Sequence, residues 1–413
     1  MCNKLHCYNC ENPCNPWFKL QNESKRKEND MQAKGLLLRE LRISNGISFA
    51  RIFSMFWIFM VNYFSTGIFR NYYKVEYQYA IEKGENFLKV MNTSPSFLDK
   101  SFFALSYAGW SGVIAFFFLS GFSLWFSILK RKTFNIVGYA VRRFKSIYPT
   151  YLMSVVITVA VVIMRKTIII KSKDVAALIV GAAKFVSNAQ DFNSPFWFIT
   201  AISMCYLFFP LLPMIYSRFK FTGLLAFVVV NYIFFRVPVL SDTLYPLIPF
   251  FVYVCIGVLA CHIIFRYLAK NEAIMKLFCI FAIIVGYFVI YRYVYGEPVQ
   301  KCMQTTWALS HPYEAGVVFA AVFFAAGYLL PAVFNKGLIW LSRGTLAVFL
   351  YHYLLYPDLV PILQPRFFGG HLSLMFICTY VCFLLFFSFL QGLFDKKIGR
   401  RVSETLTKHY NFD

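Results

Sequence analysis

The hydrophobic positions of this chain gather into long unbroken runs, not into the alternations of a half-buried helix or strand. From Ile52 onward, apolar stretches of roughly 15 to 20 residues are separated by short polar segments. About 20 consecutive apolar residues is what a bilayer's hydrocarbon core asks of a helix. The pattern predicts ten spans: Ile52–Phe69, Tyr107–Phe126, Ile147–Met164, 196–216, 221–235, 247–265, 277–293, 314–334, 344–361 and 373–394. A shorter run, Val175–Ala183, cannot cross and reads as an interfacial or re-entrant piece. Leu36, Leu37, Leu38, Leu41 and Ile43, interleaved with Lys34, Arg39 and Arg42, read as a short helix on the membrane surface.

Composition agrees with an all-α, polytopic membrane bundle. Of 413 residues, 59% are hydrophobic and 15% charged, a balance foreign to a soluble enzyme. The net charge of +22 would point a soluble protein toward nucleic acid. Here the basic residues sit in short loops between apolar runs, where they set topology instead. The segment between the second and third spans carries Lys130, Arg131, Lys132, Arg142, Arg143 and Lys145 with no acid, so it is expected to be cytoplasmic, as are both termini. The domains expected are a tail over 1–45, a membrane domain over 46–394 and a basic tail over 395–413.

The eleven cysteines form no disulfide pattern. In the tail, His6, Cys7, Cys10 and Cys14, with Cys2 nearby, are spaced like metal ligands, but the second half of a zinc motif is absent. A flexible, reduced tail is the expectation, and no metal.

Four stretches carry candidate chemistry. Arg51 opens the first span and Asn62 follows eleven residues later, about 16 Å along a helix. The second span holds GVIAFFFLSGF, Gly112–Phe122, whose small residues Gly112, Ser120 and Gly121 allow close helix approach. RRFKSIYP, Arg142–Pro149, is a compact cationic patch suited to phosphate; any cytoplasmic loop is also basic. PFWFITAISMCYLFFP, Pro195–Pro210, contains Trp197 and Tyr206, and LSRGTLAVFLYHYLL, Leu341–Leu355, contains His352. Counted inward from the expected span ends, Asn62, Ser120, Tyr206 and His352 fall at one depth, about 13 to 16 Å.

Together these stretches resemble the acyltransferase family 3 membrane proteins. The resemblance runs from Arg51 to Leu355 and implies transfer of an acyl group from cytoplasmic acyl-CoA, acetyl-CoA foremost, to a hydroxyl of a surface or extracytoplasmic glycan or a lipid-linked sugar. It implies a multi-pass protein of the plasma (inner) membrane. The chain departs from the family pattern at three places: Asn62 stands at the position of the first-helix His base, Ser146 at that of a further Arg, and Ile202 and Ser203 where some members have Glu. An Asn cannot take up a proton at neutral pH. His352 is therefore the candidate base, with Asn62, Ser120 and Tyr206 as its polar partners and Arg51, Arg142, Arg143 and Lys145 as the CoA-phosphate ligands. Two other readings stay open: an inactive relative acting as a scaffold in glycan assembly, and a lipid or glycan transporter.

Overall fold

The computed structural model describes residues 16–65, 102, 109–131, 134–165, 171–185, 193, 195–235, 247–295, 312–352, 354 and 372–394. The tail cysteines, the loop after the first span and the C-terminal tail lie outside these residues. Every regular element among the described residues is helical. That follows from the apolar runs, since a backbone in hydrocarbon must satisfy its own N–H and C=O groups.

The helices are α1 (Pro16–Ser65), α2 (Trp110–Arg131), α3 (Ile136–Arg165), α4 (Ser172–Ile179), α5 (Phe196–Phe208), α6 (Leu211–Phe235), α7 (Leu247–Arg266), α8 (Glu272–Tyr295), α9 (Pro312–Leu329), α10 (Asn335–Arg343), α11 (345–352) and α12 (Leu372–Phe394). Among the described residues seven are long and apolar enough to cross a membrane, and eight if the pair Glu314–Leu329 and Ala332–His352, bent by 108°, counts as one more span. Ten were expected. The difference lies mainly in 196–235 and 344–361. Helix α5 has only 13 residues and ends at Phe209–Pro210, where proline lacks the N–H that would continue it. Helix α6 is broken at Lys220, with φ 54° and ψ −148°. The rest of 344–361 runs out of the described residues.

The first span also differs from expectation. No separate surface helix precedes it: α1 is continuous, and its apolar window is Gly35–Asn62. Ile43, Asn45 and Ile47 are buried inside the bundle. The turn before them keeps its charges because each finds a partner. Arg42 pairs with Glu272, which also binds Lys276 at 2.7 Å; Lys130 pairs with Glu40 at 2.7 Å; Arg39 donates to the Ala269 carbonyl. These pairs mark a basic end of the bundle. Arg51, nine residues beyond Arg42, lies about 14 Å deeper, so it sits within the bundle and not at its mouth.

The core is α1, α2, α7 and α9, with α8 against α9 and α10 against α1. Two glycines set the tightest crossing. A Cβ on Gly121 would meet the Val254 carbonyl oxygen at 1.9 Å, and one on Gly257 would meet the Phe118 oxygen at 2.0 Å. Thus α2 and α7 touch backbone to backbone, as the small residues of GVIAFFFLSGF predict. Helix α3 lies at the edge and is tied on by hydroxyls: Tyr148 donates to the Ile179 carbonyl, Tyr151 to that of Leu178, and Tyr139 to that of Tyr206. The carbonyls of residues 178 and 179 belong to α4, which is too short to span.

Candidate active site

A cavity of about 520 Å³ opens in the middle of the helices. Its lining repeats at helical spacing, so each helix offers it one face. Helix α1 gives Ser44, Ile47, Ser48 and Arg51; α2 gives Phe116, Ser120 and Ser123; α3 gives Arg143, Ser146, Ile147 and Thr150; α5 gives Phe198, Ile202 and Tyr206. Ser342, Arg343 and Thr345 close it from α10 and α11, and Gln391 from α12. Three guanidinium groups therefore face one space whose lining, among the described residues, has no acid.

The polar groups are held in place. Arg51 Nη2 donates to Ser123 Oγ at 2.7 Å, and Ser123 donates in turn to the Leu119 carbonyl. Arg143 lies over the Tyr206 ring, 6.0 Å from its centre, and the Tyr206 hydroxyl points at Ser120 Oγ, 3.5 Å away. Thr150 donates to Gln391 Oε1 at 2.7 Å. Arginine's planar donor fork suits phosphate oxygens, so the cavity can take a multiply charged phosphate ester.

Asn62 and His352 do not line this cavity. They meet each other, Asn62 Nδ2 standing 2.9 Å from His352 Nε2. The Asn62 amide also donates to the Ile58 carbonyl at 3.0 Å. His352 is buried, and its Nδ1 lies 2.7 Å from the Phe349 carbonyl and 3.1 Å from that of Val348. A carbonyl only accepts, so Nδ1 carries the proton and Nε2 presents the lone pair to Asn62. An aromatic partition separates the pair from the cavity. Phe198, on the cavity wall, packs 4.7 Å from Phe349, whose ring is 5.9 Å from His352; Phe59 closes the other side at 5.6 Å.

The four polar groups expected at one depth thus split into two pairs. Ser120 and Tyr206 share the level of Arg51; Asn62 and His352 lie about 16 Å farther along α1. The sequence count erred because it started the first span at Ile52, whereas α1 is already buried in the bundle at Ile43. Of the four expected phosphate ligands, Arg51 and Arg143 line the cavity. Arg142 and Lys145 do not, because one residue along a helix is a 100° rotation away from the lining face. Arg142 is exposed, its guanidinium beside Gly138 on its own helix. Arg343, Ser123 and Gln391 were not singled out by the sequence reading. For Arg343 a signal existed: it is a lone cation beside the apolar run that leads to His352.

The model of the acyltransferase domain matches residues 44–391, nearly the whole chain. This chain belongs to the acyltransferase 3 family. No curated protein and no solved structure matches it. Family membership and the apolar helices together make it a multi-pass membrane protein with acyltransferase character.

Proposed function

We propose that this protein is a membrane O-acyltransferase that takes an acyl group from acyl-CoA and transfers it to a sugar hydroxyl, with His352 as the general base. The observation that carries the reading is the Asn62–His352 pair: an imidazole whose Nδ1–H is fixed by the Phe349 carbonyl, leaving Nε2 as the only basic atom, beside an amide donor. Such a pair supplies the two things acyl transfer needs, a proton acceptor and a hydrogen bond to the oxygen that becomes negative.

The basic end of the bundle faces the cytoplasm by the positive-inside rule, so acyl-CoA reaches the cavity from there. Arg51, Arg143 and Arg343 hold its phosphates, and the extended pantetheine arm covers the distance from Arg51 to His352, parting the Phe198–Phe349 contact on the way. The acceptor hydroxyl approaches from the opposite end and displaces the Asn62 amide from Nε2. Nε2 removes the hydroxyl proton as the oxygen attacks the thioester carbon. Asn62 donates to the oxyanion, the C–S bond breaks, and the thiolate leaves with the proton from His352. Acceptor, acyl chain and plasma-membrane location are part of this proposal.

The test is reconstitution of the full chain in vesicles with acetyl-CoA and extracted surface glycan. Free CoA thiol and an acyl mass on the glycan should appear together. Glycan that gains no acyl mass, while tightly bound acetyl-CoA stays intact, would favour the inactive-scaffold reading. That reading has one observation on its side, the engagement of the Nε2 lone pair by Asn62.

A further inference from the structure

A second cavity of about 330 Å³ lies between α3 and α5 and shares Arg143, Ile147 and Tyr206 with the cationic one. Apart from Arg143, its lining among the described residues carries no ionised side chain. It opens sideways: Phe144 is 59% and Leu207 72% exposed, on a surface that a bilayer covers. It is about twice the size of a cavity of roughly 150 Å³ that takes benzene, so it has room for a hydrocarbon chain. At its inner wall the Arg143 Nε is buried with no hydrogen-bond partner among the described residues.

We infer that this slot binds one chain of an anionic membrane phospholipid, with the lipid phosphate on Arg143. Three observations choose this occupant. The slot's lining is mainly apolar, with one cation, which matches an amphiphile with a single phosphate next to its chain; a zwitterionic headgroup presents the same phosphate but adds an ammonium close to Arg143, which disfavours it. The slot runs along residues 136 to 151 of α3, beside the basic end, at the depth of a leaflet's upper chain and headgroup. The acyl chain of the donor is a poorer occupant, because a thioester at His352 places that chain at the other end of the bundle. The lipid site itself stands on the slot and Arg143 and does not depend on the transfer reaction. A lipid phosphate on Arg143 and a donor phosphate on the same side chain would exclude each other, so the lipid also lowers apparent donor affinity.

Full-length protein would be reconstituted in nanodiscs of phosphatidylcholine with a minor share of phosphatidylglycerol, and the lipid retained after detergent exchange weighed by native mass spectrometry. The native chain should retain phosphatidylglycerol in preference to phosphatidylcholine, and Arg143→Gln should reduce that retention about tenfold. Ala140→Trp combined with Ser203→Trp plugs the slot. Both residues are exposed to the bilayer side, so the fold should hold. This variant should lose the lipid and bind acetyl-CoA at least as tightly as native. Equal retention of both lipids, or undiminished phosphatidylglycerol in the plugged variant, would overturn the inference. So would a plugged variant that keeps its lipid and binds acetyl-CoA but not octanoyl-CoA, since the slot would then belong to the donor.

Discussion

Asn62 on α1 and His352 on α11 are 290 residues apart in the chain and 2.9 Å apart in space. Each is additionally anchored within its own helix, Asn62 to the Ile58 carbonyl and His352 to the Phe349 carbonyl. Neither side chain is free to swing without breaking that second bond. The amide N–H groups and the imidazole lone pair are thus presented to each other in a fixed geometry, away from the arginine cavity.

If Asn62 polarises the thioester carbonyl, then Asn62→Ala should keep donor binding and lower turnover by about a hundred- to a thousandfold, the range seen on losing one oxyanion donor. Single-turnover measurement of acyl transfer checks it. Turnover equal to native would reduce Asn62 to a prop for the ring.

Neighbouring arginines of α3 should behave differently. Arg143 faces the cavity and Arg142 does not, so Arg143→Gln should weaken acyl-CoA binding ten- to hundredfold, the loss of a charge-assisted bond of roughly 1.5 to 3 kcal/mol. Arg142→Gln should change it less than threefold. Arg51→Gln and Arg343→Gln should resemble Arg143→Gln. Equal losses at 142 and 143 would mean the loop acts only through its overall charge.

Gly121→Ala forces a methyl group to within 1.9 Å of the Val254 oxygen, and backbone is the part that cannot yield. Overpacking of this kind costs about 1 to 3 kcal/mol or more, so the purified variant should melt earlier than native. Gly337→Ala, with nothing within 4 Å of the added carbon and a place inside α10, should melt at or slightly above native, since Ala is the better helix former.

The residues that sequence alone placed well are those whose role is local. The apolar runs gave the helices, and Gly121 gave a tight crossing, because both depend on composition within one segment. Arg51 and Arg143 were also legible as cations next to apolar runs. Depth was not legible: α1 enters the bundle well before Ile52, and only the partners of Arg39, Glu40 and Arg42 on α2 and α8, and next to α8, allow it to. Nor could the sequence separate Arg142 from Arg143, or bring Arg343 into the cavity, since rotation about a helix axis is decided by the neighbours it packs against. The pairing of His352 with Asn62 depends on where α11 docks, which no local pattern records.

The positive-inside distribution gives the expected orientation. A reporter fused after Lys132 or at Asp413 should be cytoplasmic, and one inserted within 76–95 should be outside. A C-terminus found outside would mean an odd number of crossings and would contradict the placement of both termini in the cytoplasm.

The most direct measurement is acyl transfer by His352→Ala, made in the full chain reconstituted in vesicles, with acyl-CoA binding recorded on the same preparation. Removing a general base costs about 10² to 10⁴ in rate, so transfer should fall to background while donor binding through the Arg51, Arg143 and Arg343 cavity persists. A His352→Ala protein that still transfers acyl groups at the native rate would contradict the account.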